Sequence, residues 1–121
     1  MFLEELLHPD ANSFKAAVNR ELAGYVFLHR ILDEWALLNL AVGEPWRRQG
    51  IATALLNHMM RLARIKHFYR ITLEVSEKNP PAMALYKKFG FHQIGRRPCY
   101  YQYNQADALV MELLLSEKAP G

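Results

Sequence analysis

The stretch that decides the fold is LLNLAVGEPWRRQGIATALL, residues 37–56. Its apolar first part predicts a β-strand, GEPW predicts a tight turn, and the segment after Gly50 predicts the start of an amphipathic helix. The first turn of a helix leaves N–H groups without intrahelical partners at the positive end of the helix dipole, so phosphates bind there. Gly50 lets a ligand approach the backbone closely, and Arg47 and Arg48 add positive charge. The stretch therefore predicts an anion-binding turn.

The hexapeptide RRQGIA, residues 47–52, is a weak signal when it is taken alone. Glycine and alanine are common, and arginine usually lies on solvated surface. An ordinary helix start that exposes two arginines is therefore the alternative interpretation. The rest of the chain supplies the context that decides between the two.

Length and composition favour one compact domain that spans residues 1–121. With 121 residues and 51% hydrophobic content, the chain can bury one sizeable core and has no room for a second. A single cysteine, Cys99, excludes an internal disulfide, and no apolar run reaches the ~18 residues that a membrane-spanning helix needs. No secretory signal is recognisable, so we expect a cytoplasmic protein. The formal net charge of +3 is mild and fits a local site for a phosphate-bearing ligand.

The pattern of apolar residues predicts a mixed α/β sheet. Helices are expected at residues 2–7, 50–66 and 80–89, and strands at residues 13–18, 23–32, 34–42, 70–76, 91–95 and 108–115. Strands that alternate with helices, followed by late antiparallel strands, are typical of such a sheet. The near-continuous apolar character of residues 34–42 predicts a central strand that is buried on both faces. The tail at residues 116–121 is expected to be frayed.

Glu74 is the first candidate for a catalytic residue. It lies in RITLEVS, residues 70–76, where alternation puts the three aliphatic side chains on one face and Glu74 on the other. A carboxylate in this place is most simply the solvent side of an amphipathic strand. A carboxylate that lines a substrate cleft can instead accept a proton from a substrate.

Asn79 and Tyr86 belong to the helix expected at residues 80–89. Asn79 suits the N-cap position, Pro80 the first helical position, and Gly90 the C-terminal stop. Tyr86 lies beside a core candidate, so an aromatic ring packed at the helix edge with a solvated hydroxyl is the alternative to a chemical role.

The remaining polar residues give no sign of a metal site or of a nucleic-acid interface. Cys99 lacks a histidine or acidic partner at a recognisable spacing, which favours an incidental thiol. The histidines show no HxxxH or CxxC ligand spacing, so we predict that no metal is bound; they are His8, His29, His58, His67 and His92. The basic residues of the helix at 50–66 favour solvated surface over nucleic-acid contact, and we expect neither a nucleic-acid nor a membrane partner.

Several ordered motifs follow the anion-binding turn. They are LEV at 73–75, Asn79, ALY at 84–86, GF at 90–91, YY at 100–101 and DALVM at 107–111. With this pattern the chain resembles the GNAT acetyltransferases, and within them the ribosomal-protein alanine N-acetyltransferase (RimI-type) group. The resemblance runs from Leu3 to Leu115, which is nearly the whole chain.

The resemblance implies the GNAT acyl-CoA N-acyltransferase fold, a mostly antiparallel central sheet with a splayed parallel pair, flanked by helices and here shortened at its N-terminus. It implies direct transfer of acetyl from acetyl-CoA to an amine in a ternary complex. The leading acceptor is the N-terminal alanine of a ribosomal protein, and a lysine side chain or a small-molecule amine is the alternative. A catalytically impaired CoA-binding module and a small nucleic-acid-binding domain are the alternatives from other classes.

The resemblance also implies site residues. Glu74 falls at the position of the general base, and Tyr86 at that of the general acid that protonates the departing CoA thiolate. Tyr100 and Tyr101 lie where the family positions the acceptor, although aromatic loop residues, like the nearby Tyr103, also cover core edges. The resemblance also implies three groups of residues that bind the cofactor. The backbone of Leu40, Ala41 and Val42 pairs with pantetheine, and the pyrophosphate is held by the segment Arg47, Arg48, Gln49, Gly50, Ile51, Ala52 and Thr53. The third group consists of Asn79 and Tyr86.

The chain departs from the family pattern most strongly at its start. It lacks the first strand and most of the first helix that the family places before Phe2. A missing strand would leave the strand at residues 13–18 with an unpaired edge, and exposed edges invite pairing with another chain. On this ground we expect a homodimer or a swapped assembly. Three smaller departures follow. The proline of the turn into the phosphate segment is displaced to Pro45, Lys78 replaces the usual serine before Asn79, and Ala106 replaces an acidic residue before Asp107. They affect the expected acceptor specificity more than the expected cofactor binding.

Overall fold

The computed structural model describes residues 2–5, 12–101 and 106–116; the side chains of residues 2–5 and 99–101 lie outside this description. The elements are β1 (Phe2–Glu5), β2 (Ser13–Val18), β3 (Glu21–Ile31), β4 (Glu34–Val42), a 3₁₀ turn (Glu44–Trp46), α1 (Ile51–Ile65), β5 (Arg70–Ser76), α2 (Pro80–Lys88), β6 (His92–Tyr101) and β7 (Ala106–Leu114). From Ser13 onward the type of each element agrees with the prediction. The predicted Tyr103 loop and most of the tail fall on residues that the structure does not describe.

The strands form one mixed sheet in the order β1-β2-β3-β4-β5-β7-β6. Within the described residues, β4 and β5 pair in parallel and every other neighbouring pair is antiparallel. The parallel pair lies in the interior of the sheet, because three strands follow one another on its β4 side and two on its β5 side. The predicted mixed sheet is therefore confirmed.

The amphipathic helix α1 packs on this sheet next to β4. Its buried side chains recur at helical spacing and include Ile51, Leu55 and Met59. Gly24 on β3 allows the close approach, since a Cβ there would stand 2.7 Å from the Ala41 carbonyl oxygen and 3.2–3.3 Å from side-chain carbons of Leu55 and Ile51. This packing fixes the start of α1 beside the end of β4.

Three expectations about single strands are wrong. Residues 2–5 form strand β1 rather than a helix, and β1 pairs with β2 through Phe2↔Ala17 to Glu5↔Phe14. The edge of β2 is consequently covered, and the homodimer expected from an unpaired β2 edge remains a prediction without that support. Strand β4 is not buried on both faces, because Leu38 is 66% exposed.

No helix among the described residues combines the length and the apolar character that crossing a membrane requires.

Candidate active site

Strands β4 and β5 separate at the middle of the sheet. Their parallel register runs from Glu34↔Arg70 to Leu37↔Leu73 and then ends. Beyond this point β4 continues to pair only with β3, while β5 continues to pair with β7 as far as Ser76. Since each strand turns one edge to the gap, the backbone groups of β4 after Leu37 face an opening within the described sheet. The splayed parallel pair that the resemblance implied is present.

The gap is a cleft with cavities on both sides of Glu74. One cavity of about 330 Å³ is lined by Leu37–Leu40 on β4, residues 73–76 on β5, and Asn79, Ala82 and Tyr86 around α2. A second cavity of about 390 Å³ lies toward the closed end and is lined by Ala36–Leu38, Thr72–Glu74 and Val110. An extended ligand can pair with an open strand edge of this kind, as peptides do in β-augmentation.

The predicted anion-binding turn follows directly from the open edge of β4. Gly50 adopts φ +79° at the N-cap of α1, a left-handed conformation that favours glycine, and it offers no side chain to the amides of the first turn. Those amides therefore point outward at the positive end of the helix dipole. They border a cavity of about 230 Å³ that is lined by Val42, Trp46, Arg47, Arg48, Gly50, Ile51, Ala52 and Thr53.

Side-chain hydrogen bonds hold this turn in place. The Arg47 Nε donates to the Val42 carbonyl at 3.3 Å, and the Gln49 Nε2 donates to the Pro45 carbonyl at 3.0 Å. Arg48 has a φ of +63°, which is uncommon for a residue with a Cβ and marks local backbone strain. The loop thus presents two guanidinium groups and free helical amides at one end of the cleft, which is the chemistry of a phosphate site.

Helix α2 places Asn79 and Tyr86 at the other wall of the cleft. The Asn79 Oδ1 accepts a hydrogen bond from the Ala82 amide at 3.3 Å, so the N-cap interpretation is confirmed and Asn79 also borders the cavity. The Tyr86 ring packs edge-on against Phe91, with ring centroids 5.7 Å apart, and only 9% of the residue is exposed. This burial raises the pKa of the Tyr86 phenol above its usual value of 10.0, so its hydroxyl keeps its proton at neutral pH.

Glu74 faces the cleft from the outer side of β5 and has a cationic partner. Its neighbours Leu73 and Val75 are buried while Glu74 is exposed, as the alternation predicted. The Arg97 Nη1 lies 3.2 Å from Glu74 Oε1 and donates to Oε2 at 3.3 Å. Both side chains are accessible to solvent, so water screens this ion pair.

A second ion-pair group braces the turn between β5 and α2. The Arg96 Nη1 donates to Glu77 Oε2 at 2.7 Å and to Asp107 Oδ2 at 2.6 Å. The backbone joins in, since Asp107 N donates to Glu77 Oε1 at 3.2 Å and Glu77 N to the Asp107 carbonyl at 2.9 Å. The Arg96 guanidinium, helped by the Asp107 amide, holds the pKa of Glu77 below its usual value. This group ties the start of α2 to β6 and β7.

The structure brings most of the predicted residues together. Leu40, Glu74, Asn79 and Tyr86 border one cavity, and Val42 with six of the seven residues from Arg47 to Thr53 borders the next. Gln49 instead braces the turn. Tyr100 and Tyr101 lie on β6, but their side chains, like that of Cys99, are outside the described set. No group of three His, Cys, Asp or Glu residues in the described part of the chain is placed to hold a metal ion.

Sequence reasoning did not predict the ion pair between Arg97 and Glu74. Arg97 reaches Glu74 across β7, which pairs with both β5 and β6, and this strand order is not written in any local pattern. Leu38 and Val110, which line the cavity near the closed end, were also missed because their apolar character predicts core positions.

Comparisons with known proteins agree with this geometry. The sequence profile described as "Acetyltransferase (GNAT) family" matches residues 1–91. A relative from Bacillus subtilis, named as a putative ribosomal protein bS18-alanine N-acetyltransferase, is 35% identical over 117 residues, which cover 96% of this chain and 78% of the relative. An N-alpha-acetyltransferase from Sulfurisphaera tokodaii is 36% identical over 123 residues, covering 91% of this chain and 73% of the relative.

The fold has a close counterpart among solved structures. The crystal structure of the ribosomal-protein-S18-alanine N-acetyltransferase from Escherichia coli superimposes with a TM-score of 0.84 at 32% identity, covering 90% of this chain and 72% of that one. The family profile spans most of the chain, and the relatives exceed 30% identity over most of their length. The chain thus belongs to the GNAT acetyltransferase family and is an acyl-CoA-dependent N-acetyltransferase.

Proposed function

We propose that this chain transfers the acetyl group of acetyl-CoA to the N-terminal α-amine of a protein, with an N-terminal alanine, as in ribosomal protein bS18, as the first acceptor to test. The observation that carries the proposal is the pair of cavities along β4, one beside Glu74 and Tyr86 and the other at the uncapped start of α1. The names of the relatives support the acceptor class.

The residues along the cleft fit the parts of acetyl-CoA. The two guanidinium groups and the first-turn amides of α1 suit the pyrophosphate, because they combine positive charge with free donors. The open edge of β4 at Leu40–Val42 suits the amide-bearing pantetheine arm, which can pair with a strand. A β4 amide near the thioester can polarise its carbonyl. Asn79 borders the same path.

Glu74 and Tyr86 supply the two proton transfers that the reaction needs. The amine nitrogen attacks the thioester carbonyl carbon, so that a C–N bond forms and the C–S bond breaks. Glu74 accepts the proton that the amine releases, directly or through one water, and Tyr86 donates a proton to the departing thiolate. A phenol that burial keeps protonated is suited to the second role. Tyr100 and Tyr101, which follow on β6, are the proposed contacts for the acceptor.

Mass spectrometry of a peptide panel incubated with acetyl-CoA tests this function. The panel contains a peptide that begins with alanine and the same peptide with its α-amine blocked. Each of the two peptides also contains one lysine. We expect one acetyl group on the free α-amine and none on the blocked peptide. Acetylation of the blocked peptide at lysine would move the acceptor class to side-chain amines, and CoA binding without any turnover would point to a binding module.

A further inference from the structure

Arg97 reaches the candidate base from a strand that is not adjacent to it. Strand β7 lies between β5 and β6, and the register Ser76↔Ala108↔Arg97 puts Arg97 two residue pairs along the strands from the Glu74↔Val110 row. Since neighbouring strands lie about 4.8 Å apart, the Arg97 backbone is roughly 10 Å from β5. The guanidinium crosses this distance and ends with one nitrogen, Nη1, between both Glu74 oxygens, at 3.2 and 3.3 Å.

Stability does not account for this contact. The Arg97 and Glu74 side chains are 54% and 34% exposed, and exposed ion pairs add little to the free energy of folding because water screens them. Fixing a long arginine side chain also costs conformational entropy. The chemical consequence is larger than the energetic one, since the same two oxygens are those that would accept a proton from the acceptor.

We propose that Arg97 occupies the Glu74 carboxylate while no acceptor is bound, and that the ammonium group of the acceptor amine displaces it. The inference rests on the proposed role of Glu74 as general base. An ammonium group is a compact cation with three donors, so it competes with the guanidinium for the same oxygens. Because the exposed ion pair is weak, replacing the Arg97 guanidinium by the ammonium group costs little free energy. Arg97 is thereby a positioning residue that favours acceptors whose reacting nitrogen arrives positively charged.

The same contact limits a wasteful reaction. Without an acceptor, water is the competing nucleophile: its oxygen bonds to the thioester carbonyl carbon, the C–S bond breaks, one water proton passes by way of Glu74 and Tyr86 to the thiolate, and acetic acid and the CoA thiol leave. While the Arg97 Nη1 lies against both Glu74 oxygens, a water must compete with it for the carboxylate. Arg97 therefore suppresses hydrolysis of acetyl-CoA until an amine arrives.

The test compares wild type with Arg97→Met, which keeps much of the length without the charge, and with Arg97→Lys, which keeps the charge. Release of CoA thiol is measured without acceptor and over a range of acceptor concentrations. We expect Arg97→Met to raise the acceptor-independent release about threefold and to lower the acceptor KM by about the same factor, the size that one exposed ion pair allows. The kcat should not change, and Arg97→Lys should restore wild-type values.

Two controls separate this role from a general effect. Arg61→Met removes an exposed arginine on α1 whose contact is His58, and it should leave both rates unchanged. In a Glu74→Gln background, Arg97→Met should have no further effect if it acts through Glu74. If wild type acetylates its acceptor and Arg97→Met changes neither the acceptor-independent release of CoA thiol nor the acceptor KM, the role proposed for Arg97 is wrong. The proposed function is unaffected by that result. If no acceptor is acetylated, the proposed function fails and the acceptor-independent release alone decides for or against Arg97.

Discussion

Glu74 and Tyr86 border the same cleft in different surroundings. The Glu74 carboxylate is partly exposed and faces Arg97, whereas the Tyr86 ring is packed against Phe91. A substrate amine or a water can reach a solvent-accessible carboxylate, while burial disfavours the phenolate. The surroundings thus divide the work between an acceptor and a donor of protons, as enzymes with two titratable groups in one site do.

The buried Tyr86 phenol leads to a prediction about pH. Because burial raises its pKa above 10.0, the donor stays more than half protonated at every pH below that value, and any decline of kcat that Tyr86 causes should be centred above pH 10. Tyr86→Phe should lower kcat by about 100-fold and change the affinity for CoA far less. Steady-state kinetics over this pH range, with calorimetric titration of CoA, measures both. A decline of the wild-type kcat centred well below pH 10, absent from Tyr86→Phe, would contradict the burial argument.

At the scale of elements, the start of α1 decides the affinity for the cosubstrate. The double variant Arg47→Ala, Arg48→Ala removes two exposed cations beside the free amides of Gly50 to Thr53. We expect CoA to bind about tenfold more weakly at low salt and the loss to shrink at high salt, where the charges are screened. Titration calorimetry at the two salt concentrations provides the numbers.

Pantetheine serves as the matched ligand for this variant. It lacks the phosphates and should bind the variant and the wild type equally. An equal loss of affinity for pantetheine and CoA would mean that the arginines hold the fold of the turn rather than the phosphates.

The elements that sequence predicted well are those whose limits are set by local chemistry. Gly50 fixed the start of α1, and Asn79 with Pro80 fixed that of α2, because caps and prolines act within a few residues. Strand β1 was missed, since a four-residue FLEE segment has no distinguishing period and its strand state depends on pairing with β2. The contact between Arg97 and Glu74 was not predicted for the same reason, because it depends on the order of the strands in the sheet.

At the scale of the whole molecule, an ion-pair group closes the end of the parallel pair that lies opposite the cleft. Arg70 donates to Glu34 through Nε at 2.8 Å and to Glu112 through Nη1 at 2.7 Å, and the Tyr69 hydroxyl donates to Glu34 at 2.5 Å. These contacts join β4, β5 and β7 at the start of the parallel register, at Glu34↔Arg70, three residue pairs before it ends at Leu37↔Leu73. They hold the base of the splay whose open end forms the site.

Arg70→Met should destabilise the protein by about 2 kcal/mol. The change leaves two carboxylates, Glu34 and Glu112, that are only 14% and 12% exposed and without their shared guanidinium; the cost stays below that of a fully buried pair because Arg70 itself is 29% exposed. Urea unfolding gives the free energy, and Arg61→Met should stay within about 0.5 kcal/mol of wild type. A midpoint for Arg70→Met equal to that of Arg61→Met would show that the group does not hold the strands.

The most direct measurement of the central proposal is the rate of acetyl transfer to a free N-terminal alanine peptide by wild type and by Glu74→Gln, followed by mass spectrometry. Glutamine keeps the shape of the side chain and cannot accept the proton, so we expect the product to carry one acetyl group in wild type and the rate to fall by about 100-fold or more in the variant. Equal rates in the two proteins would contradict the role of Glu74 in the cleft.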